Sequence, residues 1–170
     1  MTRDEYLCLR REYEPKPVRL VIVAESPPAS GKYFYNPEGL TSEPLFAALM
    51  RQLNFPPTRK RDGLAEFQQR GWVLVDATYE PVDKPNKNAN RNKVIERDYE
   101  QLRADLRSLI SDKPVPLILI KANVCKKLEP KLREDRFNVL NCGSIIPFPS
   151  HSHQTEFHRE FGAILKAAGI

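Results

Sequence analysis

The sequence predicts an α/β domain in which a largely parallel sheet lies between layers of helices. Short apolar runs rich in β-branched residues are typical of strands that are covered on both faces. These runs alternate with amphipathic helical patterns, and that alternation indicates parallel strands joined by right-handed crossovers. A chain of 170 residues has the length of one compact domain. Because it contains no internal repeat and no interdomain linker, we expect a single domain over residues 1–170.

Four apolar runs are candidate strands. The three strongest cover residues 18–23, 72–76 and 115–120, and a weaker one covers residues 137–141. Each of the first three is apolar on both faces, so we expect central positions for them in the sheet.

Apolar residues at helical spacing predict three helices, each with one face to bury. Their stripes cover residues 45–53, 95–110 and 157–168. Thr41 or Ser42 is available as the cap of the first helix, and Pro44 fits its first turn.

The segment at residues 80–93, EPVDKPNKNANRNK, is too polar to pack and follows a predicted strand. We therefore expect an exposed loop near the carboxyl edge of the sheet. Open parallel sheets bind their ligands at that edge. The positions expected to meet there in one cleft are Glu25, Asp76, Lys121 and the loop after Asn141.

Charge and cysteine content limit the classes of function. Lys and Arg outnumber Asp and Glu by 27 to 22, and the net charge of +5 favours polyanionic partners. Cys8, Cys125 and Cys142 are too few and too scattered for a disulfide framework or for the four ligands of a zinc or iron–sulfur site. We expect reduced thiols, no metal and no cofactor. The opening segment lacks a signal-peptide core and no run is long enough to cross a bilayer, so we expect a cytoplasmic monomer without membrane contact.

Glu25 is the first candidate catalytic residue. It ends a buried run and is followed by Pro27 and Pro28, which restrict the backbone. An acid held at the end of a central strand can polarise water or stabilise a developing cation. A helix cap or a surface ion pair with a lysine would explain the position of Glu25 equally well.

The segment VIVAESPP resembles the first motif of the uracil-DNA glycosylase superfamily, in which a buried strand runs into GEAPG or GQDPYH. In that family the acid assists cleavage of the glycosidic bond, and Glu25 matches it, with Ser26 next to it at the base. The following GKYF is similar to the family's Gly-x-x-Phe, so Phe34 takes the place of the ring that stacks on an extruded base. The alternative for Phe34 is an ordinary core aromatic.

Three later segments resemble the family in the same order, so that the resemblance covers nearly the whole chain. They are WVLVDATYEP, VPLILIKANVCKKLEPKL and FNVLNCGSIIPFPSHSHQTEF. The last resembles the strand and the HPSP-type loop that enters the minor groove. The resemblance implies a flattened three-layer α/β/α domain with a four-stranded parallel sheet.

Asp76 stands where family members have the Asn that reads the edge of uracil. An ionised Asp76 accepts hydrogen bonds but cannot donate one to a carbonyl, which disfavours plain uracil. A proton on Asp76, favoured by burial near Glu25, would restore the donor. The alternative is that Asp76 caps the following turn with no ligand involved.

The last motif also departs from the family, because Phe148 aligns with the first His of HPSP. We expect His151, or less favourably His153, to reach in from a shifted loop and stabilise the departing base. The alternative is that both histidines, like His158, are solvated at the start and on the polar face of a helix.

Further residues are candidate nucleic-acid contacts if the family geometry holds. They are Lys32, beside the expected pocket mouth, Lys84, Lys87, Arg91 and Lys93 on the polar segment, and Ser150, Ser152 and His153 on the last loop. A charge run of this kind is otherwise a solvated surface.

The resemblance implies a monofunctional DNA glycosylase-like hydrolase of base excision repair, acting on a deaminated or modified base flipped out of single- or double-stranded DNA. The main alternative is an inactive nucleic-acid-binding module with the same fold. A hydrolase of free nucleosides or other metabolites is a third hypothesis, and the absence of a glycine-rich phosphate loop counts against it.

Overall fold

The computed structural model describes residues 1–82, 88–111 and 113–170, with no side-chain description at 88 and 89. It confirms the predicted α/β class, with a four-stranded parallel sheet between helical layers. The strands are β1 Leu20–Ala24, β2 Trp72–Asp76, β3 Pro116–Leu119 and β4 Asn138–Val139. They lie in the order β2-β1-β3-β4. The chain leaves β1 towards β2 and leaves β3 towards β4, on opposite sides, and such a divergence opens a crevice at the carboxyl ends of the two central strands.

Seven α-helices are described. They are α1 Arg3–Arg11, α2 Pro44–Gln52, α3 Lys60–Gln69, α4 Asn88–Arg97, α5 Tyr99–Ile110, α6 Ala122–Glu134 and α7 Gln154–Ala168. A short 3₁₀ turn, His151–His153, precedes α7. Among the residues that the structure describes, no helix combines the length and the apolar character that crossing a bilayer requires.

Three expectations about the helices are corrected. Residues 88–93, expected in an exposed loop, form the start of α4. The single helix expected over residues 95–110 is divided at Asp98 into α4 and α5. Neither Thr41 nor Ser42 caps α2: the N-cap is Glu43, and Pro44 opens the helix with its φ already suited to the first turn.

The two faces of the sheet carry separate apolar cores, because successive strand residues point to opposite sides. One face packs residues such as Ile22 and Leu74 against α2, α3 and α7. The other packs residues such as Val23 and Val75 against α4, α5 and α6. The structure is therefore a three-layer arrangement, and Tyr35 closes its β2 edge by donating to Leu74 O (3.0 Å) and accepting from Leu74 N (2.7 Å).

Strand register brings the candidate site together. Val23 pairs with Leu119 on β3, so the residues two positions further on, Glu25 and Lys121, lie next to each other. On the other side of β1, Ala24 pairs with Asp76. Pairing continues past the strand ends, with Thr78 N donating to Glu25 O at 3.1 Å.

Candidate active site

A cavity of about 350 Å³ opens at the carboxyl ends of β1, β2 and β3. Most of its wall is apolar and comes from Tyr33, Phe34, Leu45, Phe46, Leu74 and Ile120. Glu25, Asp76 and Lys121 line it together with Phe148 from the last loop, as the carboxyl-edge rule predicts. Its size lies within the range of about 300–1,000 Å³ that is usual for small-molecule sites.

Glu25 is a buried acid surrounded by positive and hydrogen-donating groups. Its carboxylate accepts from Lys121 Nζ through one oxygen and from Asn123 Nδ2, at 2.5 Å, through the other. Arg91 Nε lies 3.4 Å from that second oxygen. Only 5% of the Glu25 side chain is exposed, and Lys121 and Arg91 balance its charge within the protein.

Lys121 reaches Glu25 from a strained backbone. Its φ is +84°, which side chains with a Cβ rarely adopt, and its N–H donates to Ile146 O at 2.8 Å. Conformations of this kind cost on the order of 1–3 kcal/mol and concentrate at functional sites. Because Lys121 immediately precedes α6, this bend directs its ammonium into the cavity rather than along the strand.

The environment of Asp76 is the opposite of that of Glu25. It is 4% exposed, and its Oδ2 is buried without a hydrogen-bond partner among the described residues. Burial, aided by the charges of Asp105 and Glu25 and opposed by Arg10, raises the pKa of Asp76 to about 8. The carboxyl group is therefore protonated near neutral pH and offers one donor and one acceptor.

Arg10 fixes the scaffold behind Asp76. Its guanidinium forms a bidentate ion pair with Asp105 (2.5 and 2.7 Å) and donates to the Tyr79 hydroxyl (2.9 Å) and to Glu14 (2.9 Å). These contacts tie α1 to α5 and to the turn after β2. Arg10 therefore links three segments of the chain behind Asp76.

Two further polar groups lie on the Phe34 side of the cavity. The Tyr33 hydroxyl is buried without a hydrogen-bond partner in the described part of the chain, and burial, together with the charge of Asp76, raises its pKa. Glu43 lines the wall and pairs with the buried Lys60, whose Nζ donates to Glu43 Oε2 (2.6 Å) and to Tyr33 O (2.7 Å). This pair holds the segment that carries Phe34 and Tyr33 in place.

Phe34 and Ser26 line the cavity, as predicted. The Phe34 ring is 6% exposed and makes edge contacts with Tyr35 and Phe67, so it belongs to the core as well as to the wall. The Ser26 hydroxyl accepts from Val82 N at 3.4 Å. Lys32 is exposed and lines the cavity, while Phe148 from the last loop is 38% exposed.

The histidines are not where the sequence predicted them. His151 and His153 are exposed on the turn before α7 and do not line the cavity. The turn closes on itself, because the hydroxyls of Ser150 and Ser152 lie 2.9 and 3.0 Å from His153 Nδ1. Phe148 takes the inward position, so the expectation that His151 reaches the departing base is corrected.

The expected basic loop is only partly described. Lys84 and Lys87 lie outside the described residues. Arg91, expected to face nucleic acid, belongs to α4 and points inward, with Nε 3.2 Å from Val82 O and with its charge near Glu25. His158 is also turned inward, with Nδ1 2.8 Å from Gln52 Nε2.

Sequence reasoning missed the partners of Glu25. The sequence predicts Lys121 in the cleft but assigns it no role, although it lies just past β3, much as Glu25 follows β1. Asn123 and Arg91 come from helices distant in the chain, and nothing in their local sequence indicates the contact.

Comparison of the sequence with protein-family models and with curated proteins finds no match. The likeness to uracil-DNA glycosylases therefore remains a resemblance of motifs. Within the described residues, no group of three or more His, Cys, Asp or Glu side chains is placed to hold a metal ion.

Proposed function

We propose that the protein is a DNA glycosylase-like enzyme that hydrolyses the N-glycosidic bond of a deaminated or modified base extruded from DNA. The observation that carries this proposal is the pairing, in one apolar-walled cavity, of a carboxylate with balanced charge and a carboxyl group that keeps its proton. Paired acids with different protonation states are a common basis for acid and base roles in one site.

Asp76 is the proposed base-reading group. With its proton, it offers a donor and an acceptor side by side, as an amide does, and so meets the edge of a base that presents a carbonyl next to an N–H. The sequence predicted that an ionised Asp76 would disfavour uracil. The raised pKa removes that objection near neutral pH and keeps uracil among the candidate substrates.

The aromatic wall is the proposed stacking surface. Phe34 lines the cavity within a rigid group of rings, and stacking of a base on an aromatic side chain contributes on the order of 1–3 kcal/mol. A wall already ordered by Tyr35 and Phe67 needs no reorganisation when a base enters.

Glu25 is the proposed catalytic base, and it acts as a carboxylate. Its oxygens are oriented by Asn123 and Lys121, and it can accept a proton from a water molecule that attacks the anomeric carbon. Its negative charge also favours the positive charge that develops on the sugar as the bond to the base breaks. Hydrolysis then yields the free base and an abasic deoxyribose.

The test is release of free base from oligonucleotides that carry uracil, hypoxanthine, xanthine or 5-hydroxymethyluracil, in single-stranded and duplex form, measured by chromatography. We expect release from at least one of them, and a parallel set of free nucleosides should remain intact. Failure on every oligonucleotide, or cleavage of nucleosides alone, would overturn the proposal.

A second candidate is a nucleic-acid-binding module without chemistry. It is favoured by one observation, that both oxygens of Glu25 are already engaged by protein groups. It predicts salt-dependent retention of DNA that Glu25→Gln leaves unchanged, with no base release by the unaltered protein. Base release that Glu25→Gln abolishes excludes this candidate.

A further inference from the structure

We infer that Lys121 gives the same cavity a second activity, cleavage of DNA at abasic sites through an imine between its amine and the sugar. This inference rests on the proposed function only for the way in which the deoxyribose enters the cavity. The product of base hydrolysis is an aldehyde in its open form, and an amine held next to it is the group that reacts with it.

The position of Lys121 supports this role. Its side chain is 27% exposed, lines the cavity and contacts Glu25, the residue proposed to face the anomeric carbon. The backbone at φ +84° holds it there at an energetic cost, which a lysine serving only as a surface charge would not require. The amine is thus placed beside the atom that carries the aldehyde.

A lysine must lose a proton before it can attack a carbonyl carbon. Glu25 is in direct contact with the ammonium and can take that proton. Asn123, at 2.5 Å, and Arg91, at 3.4 Å, hold the other carboxylate oxygen, so Glu25 keeps its place when the amine turns towards the sugar.

Lys60 shows what a structural lysine looks like in this protein. Its side chain is fully buried, its Nζ donates to Glu43 and to the Tyr33 carbonyl, and it does not line the cavity. Its backbone lies in a regular helix. Lys121 also contacts a glutamate, but its side chain is partly exposed and lines the cavity, and its backbone is strained.

The chemistry balances without an oxidant or a metal. The Lys121 nitrogen forms a bond to C1′ of the aldehyde and gives a carbinolamine. Glu25 returns the proton it took to the hydroxyl of the carbinolamine, so that one water leaves, an iminium ion remains and Glu25 is again a carboxylate. Glu25 removes a proton from C2′, the C3′–O bond breaks, and the strand leaves with its phosphate. Water then hydrolyses the unsaturated imine, which restores the lysine, and Glu25 gives up the proton taken from C2′. The sugar stays as an unsaturated aldehyde at the end of the other part of the cleaved strand.

The test uses the full chain and an oligonucleotide with a preformed abasic site, with borohydride added to reduce the imine to a stable amine. We expect a covalent protein–DNA adduct that peptide mapping assigns to Lys121, and strand cleavage when borohydride is omitted. Lys121→Arg keeps the positive charge but cannot form an imine, so the adduct should disappear. Lys126→Arg, at an exposed position of α6, is the matched control and should form the adduct normally.

The outcomes separate this inference from the proposed function, because base release is measured on a different substrate. Base release without an adduct leaves the glycosylase proposal standing and overturns the role of Lys121. An adduct without base release supports Lys121 and counts against the glycosylase. An adduct that maps to another lysine, or that persists in Lys121→Arg, also overturns the inference, and mapping on the unaltered protein decides the question even if the variant does not fold.

Discussion

The Glu25 side of the cavity and its Asp76 side differ in what surrounds the carboxyl group. Around Glu25, Lys121, Arg91 and Asn123 approach the oxygens directly. Around Asp76, no described group donates to Oδ2, the charges of Asp105 and Glu25 are nearby, and Arg10, the nearby cation, is already paired with Asp105. Both acids lie at the carboxyl ends of neighbouring parallel strands, so the difference comes mainly from the side chains that surround them.

This difference shows how one cavity can keep two acids in different protonation states. An ion-paired carboxylate keeps its charge when buried, whereas a buried acid without a partner keeps its proton. By strand parity Asp76 belongs to the face of Leu74, on the side of Tyr33 and Phe34. Glu25 continues the face of Val23, towards the cations of α4 and α6. The division of roles thus follows the two faces of the sheet.

Removing the charge from the Glu25 side should have the largest effect. Glu25→Gln keeps the shape of the side chain but cannot accept a proton, so we expect base release to slow by about 10²–10⁴-fold. Single-turnover rates on the best substrate give the measurement. Glu134→Gln, at an exposed position of α6, is the control and should keep the full rate. A Glu25→Gln variant that is as fast as the unaltered protein would remove the functional distinction between the two acids.

Removing Arg10 tests the scaffold on the Asp76 side. Arg10→Met leaves the charge of Asp105 without its partner, and we expect a loss of about 3–5 kcal/mol in the free energy of unfolding. Urea titration measures it. The double variant Arg10→Met with Asp105→Leu should recover much of the loss, because no unpaired charge remains. Equal stability of the single and double variants would contradict this role for the pair.

The pH dependence of stability tests the proton on Asp76. Its pKa is raised from 3.8 to about 8, so folding binds a proton, and the stability from this group is full below about pH 4 and is lost as pH rises through 8. Asp76→Asn cannot ionise. Between pH 6 and pH 8 the variant should therefore gain about 2–3 kcal/mol relative to the unaltered protein. If the difference in the free energy of unfolding between the variant and the unaltered protein is the same at pH 6 and pH 8, Asp76 is already ionised at pH 6.

Lys32 should give the smallest effect, because it lies at the mouth and outside both acid environments. Lys32→Gln should reduce the magnitude of the slope of log affinity against log salt concentration by about one. The rate of base release from the bound complex should change little. Fluorescence anisotropy with an abasic-site analogue at several salt concentrations measures it. An unchanged slope would mean that Lys32 does not approach a phosphate.

Much of the fold could be predicted from the sequence, because buried parallel strands leave a strong local signal. The run before Glu25 and the run before Asp76 identified two strands, and the carboxyl-edge rule placed both acids and Lys121 in one cleft. Asp76 was also predicted to carry a proton if buried, and the raised pKa agrees with that reasoning.

Helices α1 and α3 are among those that the apolar pattern did not predict, although parts of their signal are present. The start of α1 carries a capping box between Thr2 and Glu5. However, most residues of this helix are charged, so its sequence shows no clear apolar stripe. In α3 the apolar pattern is interrupted by Gly63, which lies so close to Phe46 that a Cβ would approach the ring to 2.5 Å. The absence of a side chain there is a packing requirement that only the tertiary structure reveals.

The position of the last loop could not be predicted because it depends on turn geometry. In the sequence, His151 lies two or three residues beyond the position of the family histidine, and we expected a shifted loop to bring it to the departing base. In the structure Ser150 begins a tight turn with His153 N donating to Ser150 O at 2.9 Å, which directs His151 outward and leaves Phe148 at the cavity. The backbone dihedral angles of a few residues thus determine which side chain faces the cavity.

The proton on Asp76 is most directly tested by a carbon-13 NMR titration of its side-chain carboxyl, assigned by comparison with Asp76→Asn. We predict a midpoint near pH 8, so that this acid enters the neutral range uncharged while it shares a cavity with ion-paired Glu25. A midpoint at or below the ordinary value of 3.8 would mean that Asp76 is negatively charged beside Glu25 and would contradict the division of roles between these two acids.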